Sequence, residues 1–368
     1  MFASQIDTKK YKNICLIDTN SKIGQKIKVS GGAKCNITND FISKNRYLGD
    51  IYFAQNILEQ FTKDDLIAFL GKNRVFVNLK ENLVKGAYFC KSSQEVIDMF
   101  SLLTTKVKKF LDTKVLDISY KNSFKIETNK GLIEAKKVVI ASGGLSFATL
   151  GASSIAFDTA QKFGHTINTL NPALVGFTVQ KEQFWFKDLS GLSVDVNIFV
   201  ENKKIDGSLL FAHKGFSGPA VLTSSLYWKK GKIKIDFLPK DKLENFYKSN
   251  KKISTVLPLP KRFLEEFLNS INLEDKAIST LNEEEKTRLN LLKAYEFAPA
   301  GNFGYTKAEV TKGGIFTDEI NQISFESLKQ KDLYFIGECL DLTGELGGFN
   351  FQMVFAQAFL CAKSLNSI

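Results

Sequence analysis

The chain has 368 residues, of which 44% are hydrophobic and 24% charged, so we expect roughly two to three folded domains rather than disorder. Its formal charge of +11 comes almost entirely from lysine. The lysines are scattered, with no pure run longer than a pair, so we attribute the charge to solvated surfaces and disfavour a nucleic-acid partner.

The first part of the chain predicts a strand, two helices and a β-meander. Lys12–Asp18 is a short apolar run ending in an acid, which is typical of a buried parallel strand. Phe2–Lys10, before it, resembles the end of a helix and lacks the apolar core of a signal peptide. The predicted helices are Gln55–Leu70 and Ser92–Leu111, and the predicted meander strands are Val115–Ile118, Phe124–Thr128 and Gly131–Ala135.

The rest of the chain contains two further buried strands around a segment of different character. Residues 171–238 show β-type alternation, and Asp241–Leu292 is charged, helical in spacing and free of glycine. Val310–Ile315 then returns to β character, and the chain closes with an apolar helix, Phe349–Leu365. The two buried strands are Lys137–Ala141, stopped by Gly143-Gly144, and Asp332–Ile336, stopped by Gly337-Glu338.

The three buried strands indicate one doubly wound α/β domain that is built from both chain ends and interrupted by an insert. We place the boundaries at residues 1–170, 171–309 and 310–368. The longest uncharged stretch, Val138–Phe157, is rich in glycine and serine, which favours strand, turn and loop over a membrane span. Five cysteines without a C-x-x-C pair and only two histidines exclude a zinc site and indicate a soluble, cytoplasmic protein.

Two early features are typical of an anion- or nucleotide-binding site. In a dinucleotide-binding unit, an acid at the end of the second strand accepts the ribose hydroxyls, and Asp18 has that position, although strand-terminal Asp is also common without such a role. Ser30–Asn39 begins with adjacent glycines whose amides could approach an anion, followed by Lys34 and several amide and hydroxyl groups. The alternative for this segment is a structured turn.

Two later features complete the candidate site. Gly337-Glu338 and the glycine loop Gly344–Gly348 lead directly into the last helix, whose N-terminus would favour an oxygen that gains negative charge. The alternative is a loop that only needs tight packing. His213 is the acid–base candidate by elimination, although a single histidine is more often structural, and Ser217 could cap a helix with Pro219 in its first turn.

Eight short motifs occur in a fixed order over nearly the whole chain. They lie at Ser30–Asn39, Ala141–Ser146, Gly164–Ile167, Pro172–Val175, Leu209–Ala220, Val310–Ile315, Leu333–Asp341 and Gly347–Gln352. Together they resemble the bacterial BaiN/RdsA-type, or aminoacetone-oxidase-type, FAD-dependent oxidoreductases. The resemblance implies an FAD domain made from both chain ends, with a β-barrel-like and helical insert, and it implies small organic substrates such as steroid-like enones.

The resemblance also implies which residues hold the cofactor. Asp18 would hold the adenosine ribose, Ser142 and Gly143 would lie near the adenosine, and the remaining residues would line the flavin and ribityl parts. The implied cofactor residues are Asp18, Ser30, Gly31, Gly32, Lys34, Cys35, Asn36, Ser142, Gly143, Gly337, Glu338, Gly347, Gly348, Phe349, Asn350 and Phe351.

The sequence departs from the family pattern in four places. Ala33 replaces a glycine, Lys34 replaces an arginine and so loses bidentate geometry, and Phe349 replaces a tyrosine. The family's G-x-G-x-x-G fingerprint would fall just before Met1, so we expect that a strand and this glycine loop lie upstream of the written start.

These observations leave three hypotheses. The first is an FAD-dependent oxidoreductase that transfers hydride between flavin and a small organic substrate, with NAD(P)H as a candidate donor. The second is a flavoprotein that acts on RNA, and the third is a truncated chain that no longer binds FAD.

Overall fold

Short parallel strand pairs and one large antiparallel sheet organise the chain in this computed structural model, which describes residues 1–80 and 84–367. The helices are α1 Phe2–Gln5, α2 Gln25–Val29, α3 Ile51–Gln60, α4 Lys63–Lys72, α5 Ser93–Leu103, α6 Ile155–Lys162, α7 Pro219–Tyr227, α8 Ile253–Val256, α9 Lys261–Ser270, α10 Glu283–Leu289 and α11 Phe349–Ser367.

The strands of the same residues are mostly three to eight residues long. They are β1 Cys15–Ile17, β2 Asn36–Asn39, β3 Tyr47–Gly49, β4 Val77–Leu79, β5 Ala87–Cys90, β6 Lys108–Phe110, β7 Val115–Tyr120, β8 Phe124–Thr128, β9 Gly131–Ala135, β10 Val138–Ile140, β11 Ile167–Ala173, β12 Phe177–Val179, β13 Ser193–Val200, β14 Lys203–Ala212, β15 Gly215–Ser217, β16 Ile233–Asp236, β17 Tyr295–Phe297, β18 Pro299–Asn302, β19 Val310–Ile315, β20 Leu333–Phe335 and β21 Leu342–Gly344.

The chain divides into two compact units. Met1–Pro172 and Glu309–Ile368 form one, which we call the flanking unit, and Ala173–Ala308 form the other, which we call the inserted unit. Both chain ends therefore contribute to the flanking unit, because β10 pairs in parallel with β20 across almost two hundred residues of sequence, with Val138 opposite Leu333.

The flanking unit has the predicted α/β class, but its parallel strands do not form one doubly wound sheet. β1 pairs with β6, and β10 pairs with β20, as two separate parallel pairs. Among the described residues no strand forms hydrogen bonds to both pairs, so they are not joined into one sheet. The predicted meander is confirmed as the three-stranded antiparallel sheet β7-β8-β9.

Helix α11 lies in the core of the flanking unit. It is apolar on most sides, with buried Phe349, Met353, Phe355 and Leu360 along its length, which is the pattern of a helix surrounded by protein. Each fully buried large apolar side chain of this kind contributes about 1.5–3 kcal/mol. The C-terminal segment is therefore central to the stability of this unit.

The inserted unit is built on a seven-stranded antiparallel sheet in the order β17-β16-β13-β14-β15-β12-β18. The hairpin of β13 and β14 is its longest ladder and runs from Ser193 opposite Leu210 to Val200 opposite Lys203. The end strands β17 and β18 are consecutive in the chain, with only Ala298 between them. The sheet must therefore curve until its two ends come close together.

Three predicted elements were wrong in extent. Gln55–Leu70 is two helices, because Thr62 starts a new one with a capping box to Asp65, a signal that the sequence contained. Ser92–Leu111 is helical only to Leu103, and its end forms β6 because this segment pairs with β1. Phe2–Lys10 is helical only over Phe2–Gln5.

Candidate cofactor site

Three of the predicted site segments follow the carboxyl ends of parallel strands in the flanking unit. Asp18 follows β1, Ser142 and Gly143 follow β10, and Gly337 follows β20. Ligands of open α/β sheets bind at this edge, outside the carboxyl ends of the strands. The strand ends therefore place the predicted segments where a nucleotide cofactor is expected.

Asp18 is held in a fixed turn after β1. Its Oδ1 accepts hydrogen bonds from the backbone N–H of Asn20 at 2.9 Å and from Asn20 Nδ2 at 3.0 Å. Asn20 also donates to the carbonyl of Leu150 at 3.0 Å, in the segment that follows Ser142 and Gly143. This contact brings the two predicted adenosine-side segments together.

The turn at residues 30–34 has an unusual backbone. Gly31, Gly32 and Ala33 have φ values of 55°, 63° and 65°, all in the left-handed region. Ala33, which replaces a glycine of the family pattern, therefore carries backbone strain, because a Cβ disfavours this region. Ser30 Oγ fixes the turn by donating to the carbonyl of Ile27 at 2.7 Å. Lys34 is exposed and forms no ion pair with the described residues.

Cys35 immediately precedes β2, and Asn36 is the first residue of that strand. Cys35 is fully buried, and burial raises the pKa of its thiol to about 11 against the opposing hydrogen bond from Ser30, so the thiol is protonated at neutral pH. The side-chain oxygen Oδ1 of Asn36 is buried and has no hydrogen-bond partner among the described residues. A buried unpaired acceptor is costly, which fits a donor supplied by a bound ligand.

Strand β2 packs directly on the start of α11, so two segments that are over 300 residues apart meet. Thr38 Oγ1 donates to Gln352 Oε1 at 2.7 Å, and Asn39 Nδ2 donates to the carbonyl of Gly347 at 2.9 Å. A Cβ on Gly348 would lie 2.5 Å from the carbonyl oxygen of Thr38. Gly348 is therefore needed for this close approach.

The side chains at the start of α11 serve the loop and the core. Asn350 closes the preceding loop on itself, because its Oδ1 accepts from the N–H of Gly344 at 2.8 Å and its Nδ2 donates to the carbonyl of Gly344 at 2.9 Å. Phe349 is buried against the edge of Tyr47, whose hydroxyl donates to the Phe349 carbonyl at 2.9 Å. Phe351 stacks on Phe355 at 5.6 Å.

Glu338 is engaged by two residues that the sequence did not single out. Its Oε2 accepts from Lys26 Nζ at 2.5 Å, and its Oε1 accepts from the N–H of Thr311 at 2.9 Å. Thr311 Oγ1 in turn accepts from the N–H of Leu145 at 2.8 Å. Thr311 belongs to a motif that the sequence contained, whereas Lys26 has no local signal because its partner lies 312 residues away.

The turn after β20 is also tied to the last helix. The N–H of Gly337 donates to Gln357 Oε1 at 2.6 Å, and Gln357 is buried on α11. Lys26, Thr311 and Gln357 thus connect α2, β19 and α11 at the Gly337-Glu338 turn. They act as positioning residues for the predicted site.

The residues present fit an FAD molecule at this edge. Gly32, Gly143 and Gly337 face open space, since a Cβ on any of them would have no atom within 4 Å. The nearby unpaired oxygen of Asn36 and the exposed Lys34 add an acceptor and a positive charge. Open glycine backbone with a cation suits a pyrophosphate, and a buried acceptor suits a ring N–H.

His213 lies in the inserted unit, in the two-residue turn between β14 and β15. It is exposed, and its Nδ1 is 3.2 Å from Ser190 Oγ. Ser217 is not a helix cap as predicted, because it belongs to β15 and Gly218 precedes α7 without a side-chain bond. Pro219 is in the first turn of α7, as predicted.

The described residues contain no group of three or more His, Cys, Asp or Glu side chains that could hold a metal ion. Within the same residues, no helix combines the length and the apolar character that crossing a membrane requires.

A protein-family model described as "HI0933-like protein Rossmann domain" matches residues 1–364. The chain belongs to this family. The HI0933-like family is the one that the eight motifs resemble, so the recognition from sequence is confirmed. Its members are FAD-dependent flavoproteins, and the chain is accordingly an FAD-dependent oxidoreductase.

Curated HI0933-like relatives match over nearly their whole length. The chain is 34% identical over 382 residues to the "Ribosomal RNA dihydrouridine synthase" of Escherichia coli (strain K12). The alignment covers 99% of this chain and 95% of that protein. It is 33% identical over 375 residues to the protein of the same name from Haemophilus influenzae, and the alignment covers 96% of this chain and 93% of that protein.

A third HI0933-like relative is named for a bile acid substrate instead of ribosomal RNA. The chain is 28% identical over 389 residues to the "3-dehydro-bile acid delta(4,6)-reductase" of Clostridium scindens, with 95% of this chain and 92% of that protein covered. The names therefore favour the RNA alternative over the small organic substrate expected first. None of these matches tests the predicted upstream glycine loop, which stays a prediction.

Proposed function

We propose that this protein is an FAD-dependent reductase that converts uridine to dihydrouridine in ribosomal RNA. The observation that carries the proposal is the full-length similarity to two relatives named for this reaction, at 34% and 33% identity. The bile-acid reductase is more distant, at 28% identity. The excess positive charge, +11 over the whole chain, supports a polyanionic substrate.

Both named substrate types share one chemical feature, a carbon–carbon double bond conjugated to a carbonyl. In uracil the C5=C6 bond is conjugated to the C4 carbonyl, so hydride adds at C6 and a proton adds at C5. Bound FAD in its reduced form would supply the hydride, and NAD(P)H is the proposed source of the two electrons that reduce it. The protein has to hold the cofactor, orient the base and deliver the proton.

We assign the cofactor to the edge of the flanking unit described above. Asp18 would hold the adenosine ribose, the turn of residues 30–34 with Lys34 would line the flavin side, and Asn36 would accept a hydrogen bond from the flavin ring. The fixed turn of Asp18, the open faces of the glycines and the buried unpaired oxygen of Asn36 support this assignment.

His213 is the proposed proton donor for C5. It is exposed on a hairpin turn, and histidine is the side chain most often used for general acid–base catalysis. Glu309 is the competing candidate in the flanking unit, because burial raises the pKa of its carboxyl against the opposing charge of Lys26. His213→Gln and Glu309→Gln therefore form a matched pair of variants that each remove one acid.

The test of the function uses purified protein, FAD, NAD(P)H and ribosomal RNA from a strain that lacks the modification. We expect nucleosides from the digested RNA to show dihydrouridine, with a gain of two hydrogens, only when all components are present. Reduction of a steroid enone without reduction of the RNA would contradict the RNA assignment. Colourless protein that ignores added FAD would contradict the cofactor assignment.

The test of the proton donor compares the two variants with the wild type. We expect His213→Gln to lower the rate of dihydrouridine formation by about 10²-fold or more while the absorbance of bound FAD is unchanged. Loss of turnover in Glu309→Gln, with normal turnover in His213→Gln, would assign the proton to Glu309 instead.

A further inference from the structure

A concentrated positive surface lies on the sheet of the inserted unit, although the lysines that form it are dispersed in the sequence. Residues 203–234 contain seven lysines and a single acid, Asp206. Six of the lysines are exposed and form no ion pair with the described residues. Lys214 lies apart from the others, in the β14–β15 turn, and we call the remaining five the lysine surface. They are Lys203, Lys204, Lys229, Lys230 and Lys234.

Strand register brings two of these lysines into one row. Phe199 in β13 is opposite Lys204 in β14 on one side and opposite Lys234 in β16 on the other. Directly opposed residues share a face of the sheet and lie about 5 Å apart at Cβ. The ammonium of Lys234 lies over the Phe199 ring at 4.9 Å from its centroid, so this row presents two positive charges on either side of an aromatic ring.

The other lysines continue the surface around the end of the β13–β14 hairpin, where Lys203 lies on the opposite face from Lys204 because successive strand residues alternate. Lys203 Nζ lies 4.9 Å from the centroid of the Tyr227 ring at the end of α7. Lys229 and Lys230 follow Trp228 in the connection from α7 to β16. Two of the lysines, Lys203 and Lys234, are therefore held over aromatic rings, and a cation held over a ring is restricted in position before any ligand binds.

The connection that carries Lys229 and Lys230 is anchored rather than free. Trp228 Nε1 donates to the carbonyl of Gly231 at 3.0 Å and closes the turn. The indole also packs edge-on against Phe177, with ring centroids 5.3 Å apart. A preorganised turn loses less entropy when its side chains bind a ligand.

The surroundings favour an extended anion over a membrane or a small ligand. The neighbouring acids are Asp206, two residues along β14 from Lys204, Glu201 at the hairpin turn, and Glu296. Glu296 is opposite Lys234 in the ladder of β16 with β17 and forms an ion pair with Lys232 at 2.8 Å. Among the described residues, the inserted unit has one exposed large hydrophobic side chain, Leu291, and it lies outside residues 199–234, which carry the lysine surface. Peripheral membrane surfaces combine basic groups with apolar side chains that enter the lipid, and this surface has no such side chain.

We propose that the lysine surface binds the phosphate backbone of the RNA substrate. The inference rests on the proposed function, because it assigns where that substrate is held. Lysine is a compact point charge that neutralises phosphates without reading bases. The surface therefore supplies affinity and on-rate, and it leaves the choice of uridine to the reaction site.

The test replaces four lysines by glutamine, at Lys204, Lys229, Lys230 and Lys234, and measures anisotropy of a fluorescein-labelled ribosomal RNA fragment. We expect the dissociation constant to rise about 10- to 100-fold at 0.1 M salt, and the slope of log K against log[salt] to fall by about 2–3, since each phosphate contact contributes about 0.7. The FAD content should stay at the wild-type value.

The matched control removes the same charge from exposed lysines of the flanking unit that form no ion pair with described residues. These are Lys106, Lys121, Lys125 and Lys136. Equal loss of RNA affinity in both variants, or no loss in the first, would overturn the inference. Arginine at the same four positions of the lysine surface should restore binding, which separates lost charge from a misfolded sheet.

The two proposals fail in different ways. If wild-type protein forms dihydrouridine but the glutamine variant binds RNA normally, the surface is misassigned and the function stands. If wild-type protein forms no dihydrouridine, the function fails, and the anisotropy still reports whether the surface binds RNA. Binding to vesicles of phosphatidylserine and phosphatidylcholine that depends on these lysines, without such dependence for RNA, would assign the surface to a membrane.

Discussion

Gly348→Ala should separate the two segments that form the flavin side of the candidate site. Gly348 has a φ of 96°, and a Cβ there would lie 2.5 Å from the Thr38 carbonyl oxygen and 2.6 Å from its carbonyl carbon. The positive φ costs an alanine about 1 kcal/mol. The overlap with backbone atoms, which cannot rotate away, adds about 2 kcal/mol of overpacking, for a total of about 3 kcal/mol.

Gly164→Ala is the matched control, because Gly164 has a φ of 85° and a Cβ there would meet no atom within 4 Å. It should cost only the backbone term, about 1 kcal/mol. Urea unfolding followed by far-UV circular dichroism and by FAD release gives both values. Trp185 and Trp228 lie in the inserted unit, so tryptophan fluorescence provides an internal reference for that unit.

We expect Gly348→Ala to release FAD at lower urea than Gly164→Ala, with the tryptophan signal shifted little in either variant. If the two variants unfold together, the close approach of α11 to β2 is not a constraint on this unit. The reasoning about the convergence of the two segments would then be wrong.

Three further outcomes are expected. Ala33→Gly should raise stability by about 0.5 kcal/mol, because it relieves a left-handed alanine at the cost of extra freedom in the unfolded chain, and a lower melting temperature would contradict this. Lys26→Met should weaken FAD binding about tenfold in equilibrium dialysis, because it removes the cation that pairs with Glu338, whereas exposed Lys28→Met should not. Burial lowers the pKa of His165, so as the pH falls the unfolded chain takes up a proton before the folded chain does. The contribution of His165 to stability is therefore complete above about pH 6.5 and decreases below it. His165→Gln should make the urea midpoint depend less on pH between about pH 7.5 and 5.5.

The sequence predicted the elements whose signals are local. The strands before Asp18, Gly143 and Gly337 are short apolar runs ended by an acid or glycine, and the structure contains strands at these positions. The last helix, which begins at Phe349, was also predicted from a local signal, since it is one continuous and largely apolar segment. In each case the residues that define the element are adjacent in the chain.

The sequence could not predict features that depend on distant partners. Lys108–Phe110 continues the helical spacing of the preceding residues, yet it is a strand because its backbone pairs with β1. Lys26 becomes a positioning residue only through Glu338, 312 residues later. The same limit explains the misjudged charge, since Lys204 and Lys234 become neighbours only through the register of β13 with β14 and β16.

The division of the flanking unit between both chain ends has a consequence for synthesis on the ribosome. When residues 1–172 have emerged, β10 still lacks its partner β20, and the core still lacks α11. About 200 further residues must be translated first, which takes roughly 10–40 s at bacterial elongation rates. The inserted unit is continuous in sequence and can fold during that interval, so the N-terminal segment is the part of the nascent chain that most needs protection by chaperones.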